Sequence, residues 1–280
     1  MENKKLTVIM AVTNEATLES SVNSYLLTEE AFGNVQILLY DCLGSDEAKE
    51  AIAQVLEANP KTVVNAGNNV FTRPEAYNTG LKSVKEGYVC FTESAVVLLQ
   101  SGANFIKESV ENYPLSPIEI SVKVKAKDGK FKGYSKLSGL NNLCEVTEIP
   151  YNVCLAIYAY YFRYDDIKKL SFDTEIGEES LKKFILDAML VNGNITYSNK
   201  HWCKSFRPLE NDSVLFDGQY EKSYYTDSMR KFMIPYLKKL KEEKGEVPNF
   251  VQYALCKLIF AKFAKNYYEN NKGILEEKEV

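Results

Sequence analysis

The segment from Leu6 to Asp41 reads LTVIMAVTNEATLESSVNSYLLTEEAFGNVQILLYD and contains one complete β-α-β pattern. It begins and ends with apolar runs, Leu6–Val12 and Val35–Tyr40, which predict two buried strands. The apolar residues between these runs recur at helical spacing, at Leu18, Val22, Tyr25 and Leu26. Two such strands joined by a helix predict neighbours in a parallel sheet.

The same alternation continues through the first hundred residues. Further strands are predicted at Thr62–Asn65 and Gly87–Phe91, and further helices at Ser45–Glu57 and Pro74–Lys85. Pro74 suits the first position of a helix, because the N–H that proline lacks would have no helical partner there. This part of the chain therefore predicts an α/β fold, with a mostly parallel sheet flanked by helices.

The middle of the chain follows a less regular pattern. Asp128-Gly129 predicts a hairpin turn between strands at Ile120–Ala126 and Phe131–Tyr134. Later elements are predicted in the order strand, helix, strand, at Asn152–Arg163, Glu178–Val191 and Ile195–Ser198.

The C-terminal part is predicted to be a helical extension from Ser223 onward. Pro235 predicts a kink, and Gly245–Pro248 predicts a break between two helices. The last helix, Asn249–Tyr268, is apolar on almost every side. Two interpretations of this helix remain open: packing against the rest of the protein, or docking on a membrane surface or a partner.

Composition and charge narrow the class of protein. A chain of 280 residues with 45% hydrophobic and 26% charged residues is typical of a soluble globular protein. The net charge of −4 argues against nucleic acid as the main partner. No run approaches the roughly 18 consecutive apolar residues of a transmembrane helix, and the opening MENKKLTVIM lacks the pattern of an export signal.

The cysteines point to a reducing compartment. The chain has six cysteines, no CxxC pair and a single histidine, so neither a zinc site nor a disulfide framework is predicted. The cysteines are predicted to be small core residues, and the expected location is the cytoplasm.

Polar motifs follow the predicted strands, at the positions where α/β sheets bind ligands. In chain order they are AVTNEA (11–16), YDCLGSDEA (40–48), NAGNN (65–69), RPEAYNTGL (73–81) and GYVCFTESAVVL (87–98). Farther on, EIGEESLKKFILDAMLVNG occupies 175–193. In order and spacing, this set resembles the family 2 glycosyltransferases, and the resemblance extends to about Pro208. It implies a GT-A-type fold that binds a nucleotide sugar.

The resemblance implies roles for residues at the ends of the first two strands. Asp41 would accept a hydrogen bond from the imide N–H of the nucleotide base. The first loop, with Thr13, Asn14 and Glu15, would lie beside that base. Asp41 alone would otherwise be read as a turn or helix-capping residue.

The next motif supplies two further donor-site residues. Asn78 is expected to contact the nucleotide sugar, although helix or cap chemistry would also explain this residue. Family members often bind the diphosphate with an arginine where this chain has Tyr77. Arg73, just before the predicted helix start, could take over that role at an end of the helix that favours anions. A solvated surface arginine is the alternative interpretation.

The acidic metal motif of the family is incomplete. The family's DxD residues hold a divalent cation on the diphosphate, and the aligned residues here are Glu93, Ser94 and Ala95. Glu93 keeps a carboxylate that could reach a ribose or a metal ion, but Ala95 removes the main ligand. Weak binding of Mg²⁺ or Mn²⁺ at Glu93 is therefore the most that the resemblance predicts. Cys42 likewise replaces an aspartate of the family's second motif.

Glu178 and Glu179 align with the acidic pair that contains the family's catalytic base. Glu179 is expected to remove the proton of an acceptor hydroxyl, with Glu178 as the second candidate. The alternative interpretation is that both carboxylates stabilise the start of a helix through its dipole.

Together, these residues lead to one main hypothesis and one rival. The resemblance implies an inverting transferase for a UDP-like sugar donor and a saccharide or polyol-phosphate acceptor, in cell-surface polysaccharide or teichoic-acid-type synthesis. Peripheral contact with the inner face of the membrane is compatible with this role.

Residues 1–115 would form the donor-binding half, 116–215 the acceptor-side half, and 216–280 an extension leading to a further domain in a longer protein. The rival is a GT-A domain that binds nucleotide sugars or acts as a scaffold without turnover. A nucleotidyltransferase ranks lower, since it also needs clustered metal-binding carboxylates.

Overall fold

The computed structural model describes residues 5–67, 69–125, 129–133, 141–206 and 222–268. The strands are β1 Lys5–Val12, β2 Asn34–Asp41, β3 Val63–Asn65, β4 Tyr88–Glu93, β5 Val96–Leu98, β6 Ile118–Lys125, β7 Phe131–Gly133, β8 Asn141–Glu145, β9 Tyr160–Arg163 and β10 Asn194–Ser205. The helices are α1 Leu18–Leu26, α2 Glu29–Phe32, α3 Asp46–Ala58, α4 Arg73–Ser83, α5 Gln100–Asn112, α6 Tyr164–Ile167, α7 Glu179–Val191, α8 Lys222–Asp227, α9 Ile234–Lys244 and α10 Asn249–Tyr268.

Within the described part of the chain, all ten strands join one sheet. Eight strands follow the order β3-β2-β1-β4-β9-β6-β10-β5, while β7 pairs with β6 and β8 pairs with β10. The first four strands of this order are parallel, whereas β9 runs antiparallel to both β4 and β6. The fold is therefore α/β with a mixed sheet that is parallel in its N-terminal half, as the sequence predicts.

Strand β1 lies inside this parallel half and is buried from Leu6 to Val12. A strand covered by helices on both faces needs apolar side chains at successive positions, which explains its unbroken apolar run. The register places Val12 opposite Asp41 of β2, and Ala11 opposite Glu93 of β4. Both acidic residues are thereby brought to the carboxyl edge of the sheet.

Helix α4 lies against β1 because Gly80 allows a close approach. A Cβ atom on Gly80 would lie 2.5 Å from Cγ2 of Ile9, so a larger residue would push the helix away from the strand. The helix begins with a capping box between Thr72 and Glu75. These two features fix the position of Arg73, its first residue.

Several predicted elements differ in extent from the structure. The strand predicted at Asn152–Arg163 is limited to β9, and 3₁₀ turns at Pro150–Asn152 and Ile157–Ala159 precede it. The reason is a local crosslink, in which the Tyr160 hydroxyl binds the backbone N–H and C=O of Cys154 and folds the chain back. The strand predicted at Ile195–Ser198 extends to Ser205, across a register shift between Tyr197 and Trp202. Helix α5 was not predicted.

The predicted hairpin is present in the pairing of β6 with β7, where Gly129 has a φ of 75°. Its Asp128 lies outside the described residues. In the extension, where the sequence predicts a kink at Pro235, a π-helical turn at Ser228–Met233 joins α8 to α9. Proline cannot donate a backbone hydrogen bond, and a wider turn before it accommodates that loss. The predicted break after Gly245 is confirmed.

Helix α10 packs against the protein, as the first interpretation of its sequence expected. Phe250, Val251, Ala254 and Leu255 belong to the core. On its outer face, Tyr253 and Phe260 are exposed. Among the described residues, no helix combines the length and the apolar composition required to span a bilayer.

Candidate functional site

The carboxyl ends of β2, β1 and β4 bring together three of the predicted site residues. Asp41 ends β2, Glu93 ends β4, and Thr13 follows β1 between them. Because neighbouring strands lie about 4.8 Å apart, the backbones at Asp41 and Glu93 are separated by roughly 10 Å. The two carboxylates therefore flank one short stretch of the sheet edge.

Asp41 shapes the loop that follows β2. Its Oδ1 atom accepts hydrogen bonds from the backbone N–H groups of Leu43, at 2.8 Å, and Gly44, at 2.9 Å. Gly44 has a φ of 71°, a value that favours glycine. Asp41 is thus a turn residue, as one interpretation of the sequence expected, and it plays this role through Oδ1. Among the described residues, these are the only hydrogen bonds to the carboxylate, and both go to Oδ1.

Ser94 fixes the first loop to the end of β4. Its hydroxyl oxygen accepts from the backbone N–H groups of Thr13, at 3.0 Å, and Asn14, at 2.8 Å, and the hydroxyl donates to the Asn14 carbonyl. Ser94 is fully buried, whereas Thr13 and Asn14 are half-buried and Glu15 is exposed. From the sequence, Ser94 was considered only as part of an incomplete metal motif, and its role in holding the first loop was missed. The one signal for that role in the sequence is a hydroxyl residue at the end of a buried strand.

Replacing Ser94 with alanine is expected to lower the free energy of unfolding by about 1–3 kcal/mol, because two partly buried N–H groups and one carbonyl lose their partner. Urea denaturation would measure the loss. Ser83→Ala, at the exposed end of α4, is the matched control and should change stability by less than about 0.5 kcal/mol. Equal stabilities for the two variants would show that Ser94 does not hold the loop.

Arg73 joins two carboxylates at this edge. Its Nη1 donates to Oε2 of Glu93 at 3.0 Å, its Nε donates to Oε1 of Glu178 at 3.0 Å, and its Nη2 contacts Oε2 of Glu178. Arg73 is only 7% exposed, so the interpretation as a solvated surface arginine is wrong. A guanidinium can make this pair of parallel contacts with a carboxylate, which a lysine cannot.

The residues around Glu93 do not fit a divalent metal ion. The Oε2 atom of Glu93 already accepts from Arg73 and, at 3.3 Å, from the Thr13 hydroxyl. Ala95 is buried and supplies no oxygen ligand, whereas Mg²⁺ and Mn²⁺ prefer several oxygen ligands. Within the described ranges, no three His, Cys, Asp or Glu side chains form a group suited to a metal ion.

Glu178 and Glu179 are consecutive but face different parts of the protein. Glu178 precedes the first turn of α7 and contacts Arg73. Glu179 accepts from Lys182 at 2.8 Å, from Lys262 of α10 at 3.0 Å and from the Ser228 hydroxyl at 2.9 Å. Successive helical residues point about 100° apart, which explains the divergence. The structure therefore brings Glu178 to the sheet edge and does not bring Glu179 there.

The ionisation of Glu179 reflects these neighbours. Burial alone would raise its pKa, but Lys182 and Lys262 together lower the pKa to about 2. Burial lowers the pKa of Lys262 from its ordinary value, and the contact with Glu179 opposes that shift only in part. The carboxylate is the better stabilised partner, because two cations and a hydroxyl surround it. A carboxylate with so low a pKa is a weak base.

Asn78 lies away from the group around Arg73. Its side-chain amide donates to the Phe172 carbonyl at 2.7 Å and accepts from the Phe172 N–H at 2.8 Å. Nearby, Tyr77 is fully buried, and its hydroxyl donates to the Thr92 carbonyl. The motif from Arg73 to Leu81 thus contributes one residue to the sheet edge and uses the other two to pack α4.

Comparison with known proteins adds structural relatives. No family model and no curated protein sequence matches the chain. The structure of residues 1–349 of S. aureus TarS aligns at 16% identity and a TM-score of 0.62, over 98% of this chain and 76% of that one. The complex of TarS 1–349 with UDP-GlcNAc aligns at 18% identity and a TM-score of 0.57, over 72% and 58% of the two chains.

A third similar structure is the mannosyltransferase PcManGT from Pyrobaculum calidifontis, in complex with GDP-Man and Mn²⁺. It aligns at 12% identity and a TM-score of 0.56, over 96% of this chain and 76% of that one. The chain has a GT-A-type glycosyltransferase fold. At these identities the comparison establishes the fold, and the present chain spans only 38% of a longer TarS structure.

Proposed function

We propose that this chain is a glycosyltransferase that moves a sugar from a nucleotide-diphosphate sugar to an acceptor hydroxyl. The observation that carries the proposal is the position of Arg73 and Glu178 beside Glu93, at the edge of a GT-A-type sheet. A cation for a diphosphate and a carboxylate for a proton are the two groups that this reaction needs. A uridine donor is favoured by the similar structures that contain UDP or UDP-GlcNAc.

The donor would lie along the ends of β2, β1 and β4. Asp41 would accept the imide N–H of the base through Oδ2, since its Oδ1 is engaged by the loop. The loop with Thr13, Asn14 and Glu15 would lie beside the base, where Ser94 keeps its backbone in place. Arg73 would then bind the diphosphate through charge-assisted hydrogen bonds.

Transfer would proceed by direct displacement with inversion. The acceptor oxygen forms a bond to the anomeric carbon, while the bond from that carbon to the diphosphate oxygen breaks. The acceptor proton passes to the Glu178 carboxylate, and the charge that develops on the diphosphate is stabilised by Arg73. Glu178 replaces Glu179 as the proposed proton acceptor, because only Glu178 faces Arg73.

The proposal extends to the setting suggested by the sequence. The acceptor would be a saccharide or a polyol phosphate, in synthesis of a cell-surface polysaccharide or a teichoic-acid-type polymer on the cytoplasmic side of the membrane. Residues 1–115 and 116–215 would serve the donor and the acceptor. Incubation with a panel of nucleotide sugars and candidate acceptors, followed by measurement of free nucleotide, tests the activity directly.

The rival function is a domain that binds nucleotide sugars without turnover. Ala95 favours it, because the usual metal ligand is missing. The contact between Arg73 and Glu178 also favours it, because each group already has a partner. Nucleotide binding without release of free nucleotide from any donor would support this rival and contradict the transferase.

Asp41→Ala is expected to weaken UDP binding by about 1–3 kcal/mol, because the imide N–H of the base would lose its buried acceptor. Isothermal titration calorimetry would measure the change. Asp46→Ala is the matched control, since Asp46 carries the same charge nearby but its side chain is 95% exposed. Unchanged affinity in a folded Asp41→Ala protein would exclude Asp41 from the donor site.

A further inference from the structure

Arg73 already engages both carboxylates at the position where a metal cation would be expected. Glu93 and Glu178 together carry two negative charges, and the Arg73 guanidinium contacts both of them. A divalent cation would meet a positive charge within about 3–4 Å of the same carboxylates, where like charges repel strongly in a partly dry site. Arg73 thus supplies a positive charge at this position.

The two carboxylates differ in how easily they could release Arg73. The Glu93 side chain is fully buried, so separating it from Arg73 would leave an uncompensated buried charge. The Glu178 side chain is 36% exposed and lies at the start of α7. Water can replace its partner at a much lower free-energy cost. An incoming anion would therefore displace Glu178 and leave the contact with Glu93 intact.

We propose that Arg73 takes the place of the divalent cation in this site, and that the donor diphosphate displaces Glu178 from it. This inference rests on the proposed function and adds an order of events. Before the donor binds, Glu178 is held by Arg73 through both carboxylate oxygens. Once the diphosphate occupies those guanidinium N–H groups, the carboxylate is released toward the acceptor. Proton acceptance by Glu178 is thus tied to the presence of the donor.

Competition between Glu178 and the diphosphate has a measurable consequence for binding. In buffer with EDTA, Glu178→Gln is expected to bind UDP about fivefold or more tightly than the original protein, because Arg73 is released in advance. Arg73→Gln is expected to bind UDP about tenfold or more weakly. In the Arg73→Gln background, Glu178→Gln should alter UDP affinity less than twofold. Glu178 and the diphosphate then no longer compete for a guanidinium.

Two controls separate this competition from other effects. Glu175→Gln removes the same charge from an exposed residue three positions away and should change UDP affinity less than twofold. If the Arg73→Gln protein does not fold, the comparison of Glu178→Gln with Glu175→Gln still tests the displacement. Arg73→Lys is the second variant at position 73. Arg73→Lys keeps the positive charge but loses the paired contact with the Glu178 carboxylate. In the Arg73→Lys background, Glu178→Gln should therefore raise UDP affinity less than it does in the original protein.

The outcomes distinguish the inference from the proposed function. If UDP binds but Glu178→Gln has no larger effect than Glu175→Gln, the displacement is refuted while the donor site stands. A gain in UDP affinity of tenfold or more with Mn²⁺ would refute the replacement of the metal by Arg73. If neither UDP nor GDP binds to the original protein or any variant, the proposed function fails, and the inference fails with it.

Discussion

Glutamine in place of Glu179 is expected to lower the free energy of unfolding by about 3–5 kcal/mol, the usual effect of removing one partner from a buried ion pair. The Glu179 side chain is 13% exposed and the Lys262 side chain 7%. Loss of the carboxylate would remove the contact that Glu179 makes with the buried Lys262 ammonium of α10. Urea denaturation at neutral pH would measure the difference.

The same ion pair predicts how stability depends on pH. The pKa of Glu179 is lowered to about 2 in the folded protein. Since the folded state favours the ionised form, the stabilisation is complete above the pKa of the unfolded chain, near 4.5. It is lost as the pH falls from about 4.5 to about 2. The Glu179→Gln protein should lack this component of the acid response.

Lys182 provides the control for this prediction. It contacts the same carboxylate, but its side chain is 27% exposed and lies three residues away on the same helix. Lys182→Met is therefore expected to cost less than about 1 kcal/mol. A Glu179→Gln protein as stable as the original would contradict the assignment of Glu179 to the attachment of α10.

Glutamine in place of Glu178 is expected to reduce turnover by roughly 10²–10⁴-fold, the usual contribution of a general base. Glutamine has nearly the same size as glutamate, but its amide cannot take up the proton of the acceptor hydroxyl. Stability should change little, because Arg73 retains its contact with Glu93. Release of free nucleotide in the presence of acceptor would measure turnover, and denaturation would confirm folding.

Glu179→Gln is the matched control, because the same chemical change is made one residue away. Assayed at a temperature where it is folded, this protein should keep turnover within a few-fold of the original. The opposite result, with turnover lost in Glu179→Gln and retained in Glu178→Gln, would return the role of proton acceptor to Glu179, as the family resemblance implied.

Local sequence signals were sufficient for several elements along the chain, although not for α5. The apolar run of β1 and the turn residues at Gly129 and Gly245 each act over a few positions, and they predicted the elements correctly. The strand predicted from Asn152 was too long, since Tyr160 folds the chain back through its hydroxyl. Hydrophobic patterns do not report such a hydrogen bond.

The site could be predicted only in outline. Asp41 and Glu93 reach one edge because strand order alone determines where strand ends lie. Arg73 and Glu178 are 105 residues apart, and their contact follows from tertiary packing. The choice between Glu178 and Glu179 depends in addition on where α10 lies. No pattern near the two glutamates contains that information.

One peptide bond separates the proposed proton acceptor from the residue that holds α10. Lys262 of α10 contacts Glu179, the residue that follows Glu178 in the chain. The helical extension is therefore attached beside the proposed site, and it also covers part of the core. A ligand or a domain bound to α10 would be linked to the proposed proton acceptor through two neighbouring side chains, Lys262 and Glu179.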